Sequence, residues 1–405
     1  MTYRPPRRTV LRAVAIGATS LVLPKLLAGC SGSSGSGSLA SGGATGTAKD
    51  PVKVALILPS GGDPQTSAIA KAMRQASELA LFDLNQQGLQ LIVKDDRGTD
   101  DGARAAVGEA ISGGAEIILG PLFSRATAAA APAARQAGVP IISFSNDRTV
   151  AGNGVHLLSF LHDQEVARII DFAARQGRTR LVALLPNDAH GKQLEQSLRA
   201  ATARSNVTLV ALERYALNTN AIQAPARKIH EVIKAAPPEG PIDALFLPGG
   251  DDTLPMVAPF IPYLGIDTQQ VRLLGTGGWD APVIAREKAF AGGWFAAPDP
   301  RGWRTFSERF AKSYGAPPPR VASLAYDAVG VAAAFTGAPR GSRYVAANLT
   351  RASGFDGIDG RFRLTTGGIV ERDLAVLEVR REGSTVIEAA PGGTGRLYTS
   401  SISGT

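Results

Sequence analysis

The sequence contains one cysteine, four histidines and few aromatic residues, and each scarcity excludes a kind of site. Because Cys30 is the only cysteine, the folded body cannot hold a disulfide, a thiolate zinc centre or a cysteine nucleophile. The histidines form no HExxH or HxH pair, so we expect no metal site. The Gly-rich stretches GGDD and GTGGWD match no GxGxxG or Walker pattern, and no GxSxG motif occurs. We therefore predict a protein that is not an enzyme and that needs no cofactor.

Positive charge is concentrated at the N-terminus. Five basic residues lie among the first 29 positions, and no acidic residue precedes Asp50. The formal net charge of +8 therefore belongs mostly to this segment. Elsewhere no stripe of Lys and Arg alternates with aromatic residues, so we expect no nucleic-acid partner.

The N-terminal segment has the organisation of an export signal. The apolar run AVAIGATSLVLP follows the basic residues and is too short to span a bilayer, which predicts a signal peptide over residues 1–29. LAGC at its end resembles a bacterial lipobox and predicts lipidation of Cys30; the alternative is a cleavable signal followed by an accidental cysteine. Arg7-Arg8 leaves both Sec and twin-arginine export open. The Gly/Ser-rich residues 30–49 predict a flexible tether to the membrane.

The remaining chain alternates between apolar strands and helices. Uniformly apolar runs such as VKVALILP and TRLVALLP are typical of parallel strands covered on both faces. Two such series predict an α/β protein with two doubly wound (Rossmann-like) lobes. The late stretch GRFRLTTGGIVERDLAVLEVR predicts a β-hairpin that turns at Gly367-Gly368 and packs on the second lobe.

Two polar loops follow apolar strands in the segment GPLFSRATAAAAPAARQAGVPIISFSND, residues 120–147. Loops at the carboxyl ends of parallel strands meet at one edge of the sheet, where ligands bind. Ser124 opens a helix in this segment, and a helix N-terminus with a hydroxyl suits a carboxylate; the alternative is that Ser124 only caps its helix. The acidic pairs at 95–96 and 100–101 lack EF-hand spacing and predict a solvated loop with Asp100 as an N-cap, rather than a calcium site.

This segment resembles the corresponding part of the leucine/isoleucine/valine-binding-type periplasmic binding proteins, in which a Gly-x-x-x-Ser turn, a helix with Ala-Pro and AGVPIIS recur in this order. The resemblance implies the type I periplasmic binding protein fold, with a cleft that closes on its ligand, over residues 50–385. It implies a first lobe of 50–160 and 298–354, a second lobe of 161–297 and 355–385, and a flexible tail of 386–405.

The resemblance also assigns ligand-binding roles by position. Ser124 matches the serine that receives the ligand carboxylate, and Ser145 and Asp147 match the loop that holds carboxylate and amine. On the second lobe, His190 and Asp251 stand where the family often has tyrosine. Gly277 stands where amino-acid binders commonly have the glutamate that pairs with the ligand ammonium, so no carboxylate is expected there, although Asp280 is a possible substitute.

These assignments imply a lipid-anchored periplasmic receptor for an amino acid of the branched-chain type, or for a related carboxylate, with an ABC permease as its partner. The alternative is a regulatory lipoprotein on the same fold, independent of a ligand or sensing one. It would resemble the penicillin-binding-protein activators and contact a peptidoglycan synthase. Gly277 and the residue after Cys30, Ser31, favour that alternative.

Overall fold

Two β-sheets organise the chain. The computed structural model of the protein describes residues 51–85 and 88–391. The predicted signal peptide, Cys30 and its tether lie outside the described residues, as does most of the predicted tail. No helix in the described part of the chain is long and apolar enough to cross a membrane.

The first sheet has five parallel strands, which are β1 (Val52–Leu58), β2 (Leu89–Asp95), β3 (Ile117–Leu119), β4 (Ile141–Ser143) and β5 (Val155–Leu157). Their spatial order is β2-β1-β3-β4-β5. The helices that connect them are α1 (Pro64–Asp83), α2 (Asp100–Ser112) and α3 (Ser124–Gln136). Side chains alternate across β1, so that Leu56 packs in one core and Ile57 in the core on the opposite face, as a strand covered on both faces requires.

The second sheet has seven strands in the order β15-β14-β10-β9-β8-β6-β7. Its strands are β6 (Arg180–Pro186), β7 (Thr208–Tyr215), β8 (Ala244–Phe246), β9 (Arg272–Gly275), β10 (Trp294–Ala297), β14 (Ala375–Arg380) and β15 (Gly383–Glu388). Strands β6 to β10 are parallel to one another, and β14 and β15 form an antiparallel edge. The accompanying helices are α4 (His162–Arg175), α5 (Ala189–Arg204), α6 (Thr219–Ala235), α7 (Leu254–Val257), α8 (Phe260–Tyr263) and α9 (Pro282–Arg286). The two parallel sheets and their helices confirm the predicted two-lobed α/β fold.

The stretch 252–263 forms two short helices, α7 and α8. Pro259 lies between α7 and α8, and Pro262 lies inside α8. Each proline removes one backbone hydrogen bond of a helix interior; α3 and α6 each continue across a single proline, whereas two prolines lie close together here and favour a break.

The chain returns to the first lobe after β10. Helices α10 (Pro300–Tyr314), α11 (Ala322–Ala333) and α12 (Ala346–Leu349) contribute Phe306, Leu324 and Leu349 to the core beneath β1. A three-stranded antiparallel sheet follows, made of β11 (Phe355–Gly357), β12 (Gly360–Leu364) and β13 (Val370–Arg372).

This small sheet differs from the sequence prediction. The turn between β12 and β13 lies at Gly367-Gly368 as predicted, but the hairpin packs on the first lobe, not the second. Phe362 and Val370 lie in the core of the first lobe, and the Gly368 carbonyl accepts a hydrogen bond of 2.7 Å from the amide of Leu157 on β5. The hairpin therefore completes the core and covers the open edge of the first sheet. Only the later strands β14 and β15 join the second sheet, and β15 continues into the predicted tail. The exact lobe boundaries otherwise stay a prediction.

Candidate functional site

The two polar loops of the segment 120–147 lie side by side at the carboxyl edge of the first sheet. The amide of Phe144 donates to the Pro121 carbonyl at 3.0 Å, and Ser143 Oγ lies 3.2 Å from the same oxygen. Gly120 has a φ of +96°, and a Cβ at this position would lie 2.1 Å from the Ile57 carbonyl, so only glycine fits the turn. These contacts fix the positions of the two loops relative to each other.

A cleft of about 730 Å³ opens at this edge. Its lining includes Ser124, Ser145 and Asn146 from the two loops, and the first turn of α2 on the other side. This volume is within the range of about 300–1,000 Å³ that is usual for small-molecule sites. The structure therefore brings together Ser124 and Ser145, two of the residues to which we assigned ligand binding.

Ser124 does not cap its helix. The helix α3 begins at Ser124 itself, and its N-cap is Phe123, whose side chain makes no capping hydrogen bond. Ser124 is half-buried, and its hydroxyl makes no hydrogen bond with the part of the chain that the structure describes. The first amides of a helix have no partner within the helix. Helix dipoles and a hydroxyl at this position suit an anion, so an anion seat at Ser124 stays a prediction.

Ser145 and Asp147 are engaged in local hydrogen bonds. Ser145 is buried, and its hydroxyl accepts from the Asp147 amide at 3.1 Å. Asp147 Oδ1 accepts from both the amide and the hydroxyl of Thr149, at 3.0 and 2.7 Å, and so caps the 3-10 turn Arg148–Val150. Asp147 is not among the residues that line the 730 Å³ cleft. One of its two oxygens is committed to the loop, so a role with the ligand stays a prediction.

His190 packs against a second histidine. It lies in the first turn of α5, and its ring meets the ring of His162 edge to face, with 4.5 Å between the centroids. Burial lowers the pKa of His190, and the charge of His162 lowers it further. For His162, burial also acts to lower the pKa, but the hydrogen bond and negative charge of Glu165 outweigh this, and its pKa is raised. The assignment of His190 by sequence resemblance did not predict its contact with His162.

Asp251 lies in a glycine-rich loop that packs on the loop after β9. Asp251 is exposed and makes no hydrogen bond with other described residues. A Cβ at Gly278 would lie only 2.3 Å from the Gly249 carbonyl. Gly278 of GTGGWD is therefore explained by the close approach of the two loops, and a role of Asp251 with the ligand stays a prediction.

Glu165 is the residue that sequence reasoning missed. It lies in the first turn of α4, is only 5% exposed, and its Oε2 accepts a hydrogen bond of 3.1 Å from the amide of Gly277. A carboxylate is thus present beside Gly277, although we expected none there. The two residues are 112 positions apart, so no local pattern could have revealed their contact.

Asp280 is not available as a substitute acceptor. Its Oδ2 accepts from Arg320 at 3.2 Å, and its Oδ1 accepts from the hydroxyl of Ser384 at 3.1 Å. Both carboxylate oxygens are therefore engaged in structural contacts.

The acidic loop before α2 is structural as well, although its cap differs from the prediction. Thr99, not Asp100, is the N-cap, and its hydroxyl accepts from the Gly102 amide at 3.0 Å. Asp96 is buried, and burial raises its pKa. Across residues 51–85 and 88–391, no group of three or more His, Cys, Asp or Glu side chains is placed to hold a metal ion.

Two α/β lobes with polar loops at the carboxyl edges of their sheets define a ligand-binding protein of the type I two-lobed class. The chain belongs to the periplasmic binding protein family, whose sequence profile matches residues 51–384. A curated relative, an uncharacterized protein of Rickettsia prowazekii, is 24% identical over 179 residues, which are 44% of this chain. The match spans about half the length of that relative, 47%.

Solved structures share the fold. A Rhodospirillum rubrum protein assigned as a branched-chain amino acid ABC transporter superposes with a TM-score of 0.72 at 18% identity, covering 83% of this chain and 100% of that one. A substrate-binding protein from Desulfitobacterium hafniense in complex with Leu gives a TM-score of 0.62 at 20% identity, with coverages of 84% and 100%. A solute-binding protein from R. palustris in complex with benzoate gives 0.59 at 18% identity, with coverages of 85% and 98%. The fold is therefore that of the leucine-binding-type members.

Proposed function

We propose that the protein is a lipid-anchored periplasmic solute-binding protein that captures an amino acid, of the branched-chain type, for an ABC importer. It performs no chemistry on its ligand. Membership of the periplasmic binding protein family supports the general role. The observation that supports the ligand class is the anion seat at the first turn of α3, where the Ser124 hydroxyl has no hydrogen-bond partner among the described residues and the first amides have none within the helix, in a cleft of about 730 Å³.

The seat suits a carboxylate by its chemistry. Ser124 Oγ and the amides behind it are neutral donors, so they stabilise a negative charge without requiring a buried cation. Ser145, buried at the end of the neighbouring strand, narrows the site beside them. The compared proteins that were solved with Leu and with benzoate hold ligands that share a carboxylate, in agreement with such a seat.

Titration calorimetry of the mature domain, residues 50–391, against the L-amino acids and against benzoate tests the proposal. We expect at least one amino acid to bind, and we expect Ser124→Ala to weaken that binding by about threefold to tenfold, because one hydrogen bond to a charged ligand is lost while the helix amides remain. Thr127→Ser serves as a control, because the Thr127 hydroxyl bonds within the fold, to the Phe123 carbonyl.

If the wild-type protein binds neither an amino acid nor benzoate, the receptor function is wrong. A regulatory role through contact with a peptidoglycan synthase would then take its place. Cross-linking in intact cells distinguishes the two, because a receptor is recovered with a permease and a regulator with a synthase.

A further inference from the structure

A buried carboxylate on α4 occupies the space above a glycine on the loop after β9. Glu165 Oε2 accepts from the Gly277 amide at 3.1 Å and lies 3.3 Å from Nδ1 of His162. The other oxygen, Oε1, lies 2.7 Å from the position that a Cβ of residue 277 would take. The carboxylate therefore stands where a side chain at position 277 would begin.

The backbone does not require glycine at this position. Gly277 is not among the glycines with a positive φ, so a side chain would meet no conformational strain. A Cβ at this position would require Glu165 to shift, because Oε1, the end of a flexible side chain, lies only 2.7 Å from where the Cβ would stand. Gly277 and Glu165 are thus complementary, because Gly277 has no side chain and the Glu165 carboxylate occupies the space that a side chain at 277 would take.

This charge is incompletely paired within the protein. Among residues 51–85 and 88–391, no Lys or Arg forms an ion pair with Glu165, and His162 contributes a positive charge only when it is protonated. Oε1 makes no hydrogen bond with a described residue. The second oxygen of this carboxylate is therefore free to accept from a further donor or to face a cation.

The position of the carboxylate indicates that a ligand supplies this donor or cation. Gly277 follows β9 and His190 follows β6, so both lie at the carboxyl edge of the second sheet, the edge at which ligands bind in such sheets. His162 contacts the carboxylate, and the ring of His190 packs edge to face against the ring of His162.

We propose that Glu165 is the specificity-determining residue that binds the cationic group of the ligand, and that it makes the site select amino acids over acids that lack an ammonium group. The inference rests on the proposed function. The competing explanation is that Glu165 only ties α4 to the loop after β9.

The test compares each amino acid that binds with the same acid without its amino group, for example L-leucine with 4-methylpentanoate, by calorimetry at fixed pH and salt. We expect the wild-type protein to prefer the amino acid by at least tenfold. Glu165→Gln keeps the shape and a hydrogen-bond acceptor but removes the charge, and should reduce the preference to about threefold or less. Glu213→Gln, at a half-buried glutamate on β7 that pairs with Lys228 at 3.3 Å, is the matched control and should leave the preference unchanged.

A second variant keeps the test decisive if Glu165→Gln does not fold. Gly277→Ala leaves the charge in place but displaces Oε1, because the new Cβ would lie 2.7 Å from it, and should also lower the preference for the amino acid. An unchanged preference in the folded variants would overturn the inference and leave the receptor function standing. A wild-type protein that binds 4-methylpentanoate as tightly as leucine would do the same, whereas a wild-type protein that binds no acid at all would overturn both.

Discussion

Arg320 is expected to be a main contributor to stability where the two lobes meet. Its guanidinium donates to Asp359 at 2.9 and 2.6 Å on the side of the first lobe, and to Asp280 at 3.2 Å on the side of the second. It also lies over the ring of Trp303, with 4.9 Å to the centroid. Asp359 is fully buried, so removal of the guanidinium would leave an uncompensated charge.

The size of the effect follows from that burial. Removing one partner of a buried ion pair costs about 3–5 kcal/mol, so Arg320→Met should lower the free energy of unfolding by roughly that amount. Adding Asp359→Asn to this variant should recover part of the loss, since no buried charge then remains. Arg125→Met removes an ion pair in which the arginine side chain is 85% exposed, and should change stability by at most about 1 kcal/mol.

Urea denaturation of the four proteins, followed by circular dichroism, measures these differences. If Arg320→Met is no more destabilising than Arg125→Met, the guanidinium is not needed to hold Asp359 and the reasoning is wrong. If the double variant is less stable than the single one, Asp359 stabilises the fold through contacts other than the ion pair.

Two further predictions concern pH and localisation. Burial raises the pKa of Asp327 to about 7, against 3.8 for the free residue; the nearby Arg372 opposes this and Asp359 adds to it. The folded protein therefore binds a proton that the unfolded chain releases, so this group's contribution to stability should decrease as the pH rises from about 4 to about 7. Asp327→Asn should flatten that slope in denaturation experiments at pH 5 and pH 8, and parallel curves would contradict the assignment. Cys30→Ala should release the protein from the membrane fraction without changing its melting temperature, because the Gly/Ser-rich tether separates the anchor from the fold; mass spectrometry of the wild-type N-terminus would contradict this if it found an unmodified chain that starts elsewhere.

Much of the architecture was predictable because it depends on local patterns. Uniformly apolar strands such as β1 and β6 alternate with helices, and that alternation is sufficient to indicate parallel sheets in two lobes. The loops at 120–124 and 144–147 could be placed at the ligand edge for the same reason, since every strand of a parallel sheet ends at one side. The turn at Gly367-Gly368 was also visible in the sequence.

The errors came from contacts between distant segments. The hairpin of β12 and β13 has apolar alternation that would suit either lobe, and only the packing of Phe362 and the hydrogen bond from Leu157 to Gly368 place it on the first. Likewise, the sequence allows either role for Ser124 and for Asp147, because serine and aspartate both cap helices and both bind ligands. In the structure Asp147 caps a 3-10 turn, whereas the Ser124 hydroxyl makes no hydrogen bond with residues 51–85 or 88–391.

The sequence by itself determined the two-lobed α/β class, the alternation of strands and helices along the chain, and the carboxyl edge of the first sheet as the place of the two polar loops, because strand and helix periodicity and turn residues act over a few positions. Only the tertiary structure decided how position 277 is used. Glycine there suggested a missing carboxylate, and the carboxylate is present on Glu165, 112 residues away. Charge and shape complementarity depend on distance in space, and the spacing of residues along a chain does not encode that distance.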